Sequence, residues 1–202
     1  KSQELHELNN IGVALSAERD INKLLELILQ KSREITAADA GSLYLVKRGK
    51  EHDASTDDTL SFELAQNDSV SVSFEKRPVP LNETSIAGYV ALTGEIVNVA
   101  DAYHPPAGTP YKISRSFDEK SGYRTKSMLV VPMRDHDQKV IGAIQLINKK
   151  RDPKVVLRPV SLVEETVIPF TSVDEELATS LASQAAVAFE NTKLIQDIRT
   201  LF

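Results

Sequence analysis

Two apolar runs joined by a short polar connection limit the folds open to this chain. The runs are Ser127–Met133 and Val140–Asn148, and residues 134–139 between them are polar and rich in turn formers. Two β-type runs with such a connection predict an antiparallel hairpin. Ser114–Lys120 has the pattern of a short helix that ends at Gly122, because glycine readily takes the positive φ found where helices stop. The sequence therefore predicts a short helix that leads into a central hairpin.

Small polar side chains lie between this helix and the hairpin. They are Asp118, Ser121 and Thr125. A helix that leads into a central hairpin places these side chains around one end of the sheet, where carboxylates and hydroxyls can bind a ligand. We therefore expect a small-molecule site at this end.

Composition excludes several classes of protein. The chain has 202 residues, 41% of them apolar, which suffices for one domain with its own core. A net charge of −5 argues against a nucleic-acid surface, which needs clustered Lys and Arg. No apolar run approaches the roughly 18 residues of a membrane span, and no signal-peptide pattern is present, so we expect a cytoplasmic protein without a membrane partner. The chain begins without Met and ends within a helical pattern, which predicts a fragment of a larger protein.

The absence of cysteine limits the chemistry further. Zero Cys fits a reducing compartment and excludes disulfides, thiolate metal sites and thiol nucleophiles. The four His residues are His6, His52, His104 and His136, and they form no metal-binding motif with one another or with carboxylates. We interpret them as solvated side chains, with His104 left open as a haem ligand. We predict no enzyme activity, no catalytic residue and no metal site.

Helical periodicity marks both ends of the chain. Lys1–Ser16 has an amphipathic pattern, and Asp20 can cap a second helix. Thr171–Phe202 predicts one long helix capped by Ser172, with Glu175 three residues later as in a capping box. The second half of this helix suits a parallel coiled coil. Its apolar residues repeat every seven positions in two neighbouring rows: Leu181, Ala188, Ile195 and Phe202, and Val187, Leu194 and Leu201.

Strand patterns and loops fill the middle of the chain. Besides the hairpin, strands are predicted at Ala40–Val46, Thr59–Gln66, Val70–Phe74 and Glu95–Ala100, with a polar loop at Lys47–Asp58. Two further segments stand apart. The Pro-rich Asp101–Ile113 suits a lid over a pocket, and Arg151–Pro169 is interpreted as an extended insertion and not as a second domain.

A compact helix is predicted within Asn82–Thr93. Thr84 or Ser85 can cap it, and Gly94 can end it. The free backbone N–H groups of its first turn, around Ile86 and Ala87, can bind an anion such as phosphate.

Three segments of the chain resemble the GAF domain, the sensory module of cyclic-nucleotide phosphodiesterases, cyclases and bacterial signalling proteins. They are SIAGYVALTGEIVNVADAY, SGYRTKSMLVVPM and IGAIQLINKK. The resemblance implies an α+β, PAS-like fold with a central six-stranded antiparallel sheet and a long C-terminal signalling helix. The terminal helices would lie on one face and the pocket on the other. The expected parts are the N-terminal helices (1–36), the sheet and pocket (40–149), the insertion (150–170) and the C-terminal helix with its dimer linker (171–202).

The resemblance also implies a set of ligand-binding residues. In cyclic-nucleotide-binding members, the matching positions line the pocket, and the first turn of the compact helix holds the phosphate. Two positions depart from the usual pattern: Ser121 replaces Thr, and Gln145 replaces a carboxylate, so it can accept a hydrogen bond only without charge assistance. The full set is Ser42, Asn67, Ile86, Ala87, Asp118, Ser121, Thr125 and Gln145.

A second signature joins the last strand to the long helix. The residues Asn148, Lys149, Phe170, Asp174 and Glu175 match the N-K…F-x-x-x-D-E pattern of phosphodiesterase and cyclase GAF domains. The opposite charges predict an ion pair between Lys149 and Asp174. A structural or coupling role is expected for it, in preference to ligand contact.

These features predict a regulatory sensor domain. The expected ligand is a cyclic nucleotide, cyclic AMP or cyclic GMP, and no other cofactor is required. The signal would pass through a homodimer of the terminal helices to an output domain; the end of the chain resembles GAF domains that precede HD-GYP phosphodiesterases, which degrade cyclic di-GMP in bacteria. The alternatives are a ligand-free scaffold for dimerisation and relay, and a haem sensor that uses His104.

Overall fold

The computed structural model describes residues 2–49 and 58–201. His52, most of the predicted loop at 47–58 and Phe202 lie outside the described residues. Within the described ranges, six helices and seven strands follow one another. The helices are α1 (Ser2–Ala17), α2 (Ile21–Thr36), α3 (Ile86–Thr93), α4 (Ser116–Ser121), α5 (Ser161–Thr166) and α6 (Ser172–Thr200). The strands are β1 (Ala38–Lys47), β2 (Thr59–Asn67), β3 (Arg77–Val79), β4 (Val97–Val99), β5 (Met128–Arg134), β6 (Val140–Lys150) and β7 (Val167–Ile168).

The strands form one antiparallel sheet in the order β3-β2-β1-β6-β5-β4, and β7 pairs with the end of β6. The predicted hairpin is confirmed, because β5 and β6 pair directly, with Val130 opposite Gln145. The expected α+β class is confirmed as well. The sheet has six strands in a continuous path, as expected, and one short strand in addition.

The predicted strand at Val70–Phe74 is wrong. The side-chain oxygen of Asn67 accepts hydrogen bonds from the amides of Ser69 (2.8 Å) and Val70 (3.0 Å), which turns the chain at the end of β2. The chain returns to the sheet only at β3, which contains Pro78. A proline has no N–H to donate, and β3 can hold one because it is the edge strand.

The sheet separates two apolar cores. Leu43, Leu129 and Leu146 point to one face and pack against α1, α2 and α6. Tyr44 and Val130 point to the other face, where they pack with α3 and the loop that follows β4. The alternation of side chains along each strand produces this separation. The terminal helices therefore cover one face and leave the other to α3 and the predicted lid.

Local capping signals define several helix ends. Asp20 caps α2 through the amide of Lys23 (3.0 Å), and Ser85 caps α3 through that of Gly88 (3.0 Å). At the other end of α3, Gly94 has a φ of 73°, the left-handed conformation that ends a helix. These caps confirm Asp20, Ser85 and Gly94 as predicted.

The predicted cap of the long helix is off by one residue. Thr171, and not Ser172, caps α6, and its capping-box partner is Asp174, not Glu175. The Thr171 hydroxyl accepts from the Asp174 amide (3.1 Å), and the Asp174 carboxylate accepts from the Thr171 amide (2.8 Å). Both T-x-x-D and S-x-x-E occur here, one residue apart, so the local pattern alone could not decide between them.

The insertion after β6 is more ordered than an extended excursion. It contains α5 and β7, and its side chains Leu157, Val163 and Val167 are buried in a small core with Ala40 and Tyr123. The insertion therefore closes one end of the sheet.

A buried ion pair stands at the same end of the sheet. Asp39 is 0% exposed and Lys150 is 4% exposed, and their side chains meet at 2.8 Å. Asp39 also accepts from the hydroxyls of Ser69 (2.9 Å) and Tyr123 (2.7 Å), and Lys150 donates to the carbonyl of Val155 (2.8 Å). Burial, followed by the charge of Asp39, raises the pKa of Tyr123 well above its ordinary value, so Tyr123 remains a neutral donor.

We predict that Asp39→Ala lowers the free energy of unfolding by about 3–5 kcal/mol, because it leaves the Lys150 ammonium buried without its counter-charge. Urea denaturation followed by circular dichroism measures the change. Asp58→Ala is the matched control. The side chains of Asp58 and Arg48 pair at 3.1 Å but are 39% and 46% exposed, so this substitution should lower the free energy of unfolding far less. Equal losses from the two substitutions would contradict this prediction.

Candidate functional site

Ser42 and Gln145 lie side by side on the sheet face opposite the terminal helices. They are directly paired residues of β1 and β6, and Val130 of β5 is the next neighbour of Gln145. Tyr44, two residues after Ser42, is buried on the same face, and this burial raises its pKa to about 12. Hydroxyl and amide groups are thus set into an otherwise apolar surface, as in sites that orient a small ligand.

The first turn of α3 lies over the same face. Ile86 and Ala87 are buried in the core that contains Tyr44, Val130 and other residues of this sheet face. Gly88 is required here, because a Cβ at this position would lie 2.2 Å from the carbonyl oxygen of Asn82. The loop before α3 therefore folds tightly against the helix start. The Ser85 cap accepts from the Gly88 amide, and the other amides of this first turn have no acceptor within the helix.

Asp118 and Thr125 form a buried polar pair next to the start of β5. Asp118 lies in α4 and is 7% exposed, and Thr125, just before β5, is 5% exposed. One carboxylate oxygen of Asp118 accepts from the Thr125 hydroxyl (3.0 Å), and the other accepts from the Thr125 amide (2.8 Å). The second oxygen also accepts from the hydroxyl of Tyr103. The predicted short helix, ended by Gly122 with a φ of 75°, brings these side chains together.

The other two polar positions of the predicted set serve local structure. Ser121 donates to the carbonyl of Phe117 (2.7 Å) and accepts from the amide of Tyr123 (3.2 Å). Asn67 forms the turn after β2, opposite Ala40 of β1. The structure thus joins Ser42 with Gln145 and Asp118 with Thr125, and places Ser121 beside the second pair.

The predicted lid contacts the Asp118 pair through Tyr103. The ring of Tyr103 packs against the guanidinium groups of Arg115 and Arg124, whose central carbons lie 3.9 and 3.8 Å from its centroid. Arg124 also binds both carboxylate oxygens of Asp101 at 3.0 Å. Burial of Tyr103, followed by its hydrogen bond to Asp118, raises its pKa to about 12. Tyr103 is therefore a neutral donor at physiological pH.

The signature residues connect the sheet to the long helix. Lys149 donates to one carboxylate oxygen of Asp174 (3.0 Å), forms an ion pair with the other (2.9 Å), and donates to the carbonyl of Thr36 at the end of α2 (3.0 Å). The predicted ion pair is therefore present. Phe170 is buried, and the Asn98 side chain of β4 donates to its carbonyl (3.0 Å) and to the Glu175 carboxylate (3.4 Å).

Asn148 holds the segment that precedes β5. It has a φ of 60° and is 0% exposed. Its side-chain oxygen accepts from the Lys126 amide (2.7 Å), and its side-chain nitrogen donates to the Arg124 carbonyl (2.8 Å) and the Tyr123 hydroxyl (3.0 Å). Asn148 thus fixes the backbone on both sides of Thr125.

Two open clefts lie at the Asn67 end of the sheet. One, of about 530 Å³, is lined by Asn67 with Arg33 and Arg158; none of the other predicted ligand residues line it. The other, of about 370 Å³, lies between the end of α2 and Lys150. In both clefts Arg33 is already engaged, because it pairs with Asp68 (3.1 Å) and donates to Gln66 (2.9 Å).

Sequence reasoning missed Tyr103, Arg115, Asp39 and Lys150. Their partners are distant in the chain or lie in loops without periodicity. Only Lys150 left a signal, as a second lysine directly after Lys149 at the end of a mainly apolar strand. The remaining candidate, His104, is 78% exposed and contacts Asp101 at 3.2 Å. Within residues 2–49 and 58–201, no group of three His, Asp or Glu side chains is placed to hold a metal ion. No helix in this part of the chain combines the length and apolar character of a membrane span.

Comparisons with known proteins agree with this architecture. A family model described as the GAF domain matches residues 20–189. The chain is 29% identical over 192 residues to dual 3′,5′-cyclic-AMP and -GMP phosphodiesterase 11 of Drosophila melanogaster, which covers 89% of the chain and 11% of that protein. It is 31% identical over 117 residues to dual phosphodiesterase 11A of Takifugu rubripes, which covers 58% of the chain and 12% of that protein. The GAF domain of an Acinetobacter phosphoenolpyruvate-protein phosphotransferase has the same fold, with a TM-score of 0.64, 16% identity and coverage of 96% and 98% of the two chains.

We predict that Asn148→Gly lowers the free energy of unfolding by about 1–3 kcal/mol, because the Lys126 amide loses its acceptor. Asn148→Ala should cost about 1–2 kcal/mol more, because a Cβ disfavours positive φ. Urea denaturation measures both. The control pair is Gln138→Gly and Gln138→Ala, at an exposed turn residue with a φ of 64°. This pair should show the difference between Ala and Gly alone, and Asn148→Gly as stable as the parent protein would contradict the role of the side chain.

Proposed function

The chain belongs to the GAF domain family of regulatory sensor domains, and we propose that it binds a cyclic nucleotide, cyclic AMP or cyclic GMP, and relays binding to an output domain. The observation that carries the proposal is the buried Asp118–Thr125 pair beneath the lid. The names of the phosphodiesterase relatives support the ligand class. The chain spans only about a ninth of the length of these relatives, so the activity of the whole protein is part of the proposal.

Each group in the site has a role in this proposal. Asp118 and Thr125 bind the edge of the base, and Ser42 and Gln145 contact it from the sheet. The first-turn amides at Ile86 and Ala87 bind the cyclic phosphate, since a helix start favours negative charge. Ser121 supports the α4 turn that presents Asp118, and Asn67 shapes the neighbouring turn.

Gln145 determines much of the base preference. Its amide both donates and accepts, whereas a carboxylate can only accept. A base edge that offers both an acceptor and a donor would satisfy this amide fully. The absence of a negative charge removes charge assistance from a bond to an exocyclic amine.

The relay uses the contact between the sheet and α6. Lys149 binds Asp174, which also caps α6, so a shift at the end of β6 acts on the start of this helix. A ligand changes this equilibrium only if it binds the two arrangements with different affinity.

A homodimer forms through the second half of α6 in this proposal. Of the two apolar rows, Leu181 and Ala188 are buried in the domain, whereas Val187, Leu194 and Leu201 are exposed, as is Ile198. Among the described residues the outer row of Val187, Leu194 and Leu201 therefore has no packing partner, and it repeats at coiled-coil spacing. The output domain that follows is a cyclic-nucleotide or HD-GYP phosphodiesterase.

The second candidate function is a ligand-free scaffold for dimerisation and relay. It is favoured by one observation: the protein itself already occupies both oxygens of Asp118. The two functions differ in whether any nucleotide binds.

We expect saturable heat on calorimetric titration with cyclic AMP or cyclic GMP, with cyclic di-GMP included for comparison. Thr125→Val should weaken binding by about tenfold or more, because it removes a hydroxyl at Asp118 without changing the side-chain volume much. Thr59→Val, at an exposed residue of β2, is the matched control and should bind as the parent does. No heat from any of the three nucleotides would favour the scaffold.

We expect Leu194→Asn combined with Ile198→Asn to raise the dimer dissociation constant at least about a hundredfold. The substitutions remove apolar side chains from the proposed seam, the contact between the exposed apolar residues of the two α6 helices. Sedimentation velocity measures this constant, and removal of residues 190–202 should act in the same direction. Lys193→Asn with Gln196→Asn changes exposed polar residues of the same turns and serves as the control. Unchanged sedimentation of the Leu194 and Ile198 variant would exclude this seam.

A further inference from the structure

Tyr103 places a side chain of the lid directly against the candidate ligand site. Its hydroxyl donates to the same oxygen of Asp118 that accepts from the Thr125 amide. Its ring lies within 4 Å of two guanidinium carbons, those of Arg115 and Arg124. Tyr103 thus offers a flat ring to two cationic side chains and a donor to a buried carboxylate. A planar heterocycle with an N–H group could make the same two kinds of contact.

The lid around Tyr103 is held by a small number of contacts. Asp101 accepts from the Tyr103 amide (3.0 Å) and binds Arg124 through both oxygens. The Ala102 amide donates to the carbonyl of Lys126 (2.7 Å), and Ala102 is buried. The bonds from Arg124 to Asp101 and from the Ala102 amide to Lys126 connect the start of the lid to residues 124–126, which flank the partner of Asp118.

The hydrogen bonds that Asp118 accepts differ in whether a ligand could replace them. Thr125 lies seven residues after Asp118, in the segment between α4 and β5, and its two bonds keep the carboxylate in place. Tyr103 is fifteen residues away, in the lid. A ligand donor could take the position of the Tyr103 hydroxyl and leave both bonds from Thr125 intact.

We propose that Tyr103 is an intramolecular competitor, which closes the lid over Asp118 and must be displaced before a planar, N–H-donating ligand can bind. This inference rests on the proposed function for its ligand. The pKa of Tyr103, which burial raises to about 12, agrees with it, because the hydroxyl keeps its proton and stays a donor to Asp118 at physiological pH. The apparent affinity is then reduced by the fraction of molecules in which the lid is closed.

Tyr103→Phe tests the inference, because it removes the hydroxyl and keeps the ring. Hydrogen–deuterium exchange reports the lid without any ligand, and peptides that cover residues 101–113 should exchange at least about threefold faster. Calorimetric titration with cyclic AMP and cyclic GMP reports the competition, and the bound nucleotide should bind about tenfold more tightly, since a hydrogen bond to a charged acceptor no longer holds the lid closed.

Tyr89→Phe is the matched control. The Tyr89 hydroxyl donates to the carboxylate of Glu95 (2.8 Å), outside the lid, so its loss should change neither lid exchange nor binding. Arg115→Ala is a second variant at an exposed residue, in case Tyr103→Phe is unstable. It removes one guanidinium from the Tyr103 ring and should change lid exchange in the same direction by a smaller factor.

The outcomes separate this inference from the proposed function. If hydrogen–deuterium exchange of the lid peptides is unchanged in Tyr103→Phe, the inference is overturned, whatever the nucleotide titrations show. Faster exchange without tighter binding, where the parent protein binds a nucleotide, also overturns it. Faster exchange with no heat from either nucleotide, in the parent or the variant, supports the closed lid and overturns the proposed nucleotide ligand.

Discussion

Three consecutive residues at the end of β6 bind three different parts of the molecule. Asn148 holds the segment before β5, Lys149 holds the start of α6 and the end of α2, and Lys150 holds Asp39 and the insertion. The positive φ of Asn148 allows its side chain to reach back to the amide and carbonyl groups on either side of Thr125. All three side chains are largely removed from water, and buried polar groups are costly unless they are paired. The positions of the site, the long helix and the insertion therefore depend on one strand end.

The site and the long helix therefore both contact the same strand end, that of β6. Thr125 fixes Asp118, Asn148 fixes the backbone around Thr125, and the next residue, Lys149, binds the cap of α6. The distance along this chain of contacts is short, and each contact is a hydrogen bond or an ion pair. Contiguity alone does not make a switch, because coupling requires an element with two arrangements. The lid reaches Asp118 through the Tyr103 side chain, so it is the element in which we propose two arrangements.

The parts of the fold that were predictable from sequence have local causes. The hairpin, the caps at Asp20 and Ser85, and the stops at Gly94 and Gly122 all follow from neighbouring residues. The failures have distant causes. Ser69 bonds to Asp39, thirty residues away, and this contact, with the turn at Asn67, takes the chain after β2 out of the sheet. Thr171 and Ser172 offer equivalent capping patterns, and the ion pair of Asp174 with Lys149, 25 residues away, coincides with the choice of Thr171. The site was predictable where a family resemblance supplied positions, but Tyr103 lies in a Pro-rich loop with no periodic signal.

In the competition that we propose, a lid that occupies its own site makes the sensor and the scaffold two states of one molecule. While Tyr103 binds Asp118, the acceptor that a ligand would use is satisfied and the sheet face is covered. A ligand converts this state into a sensor only if its contacts exceed those that Tyr103 makes with Asp118, Arg115 and Arg124. Affinity is then set by the difference between two similar sets of contacts, so a small change in the lid alters it strongly. The contacts that fix β6 and α6 lie within the protein itself, so the proposed competition at the lid leaves the fold unchanged.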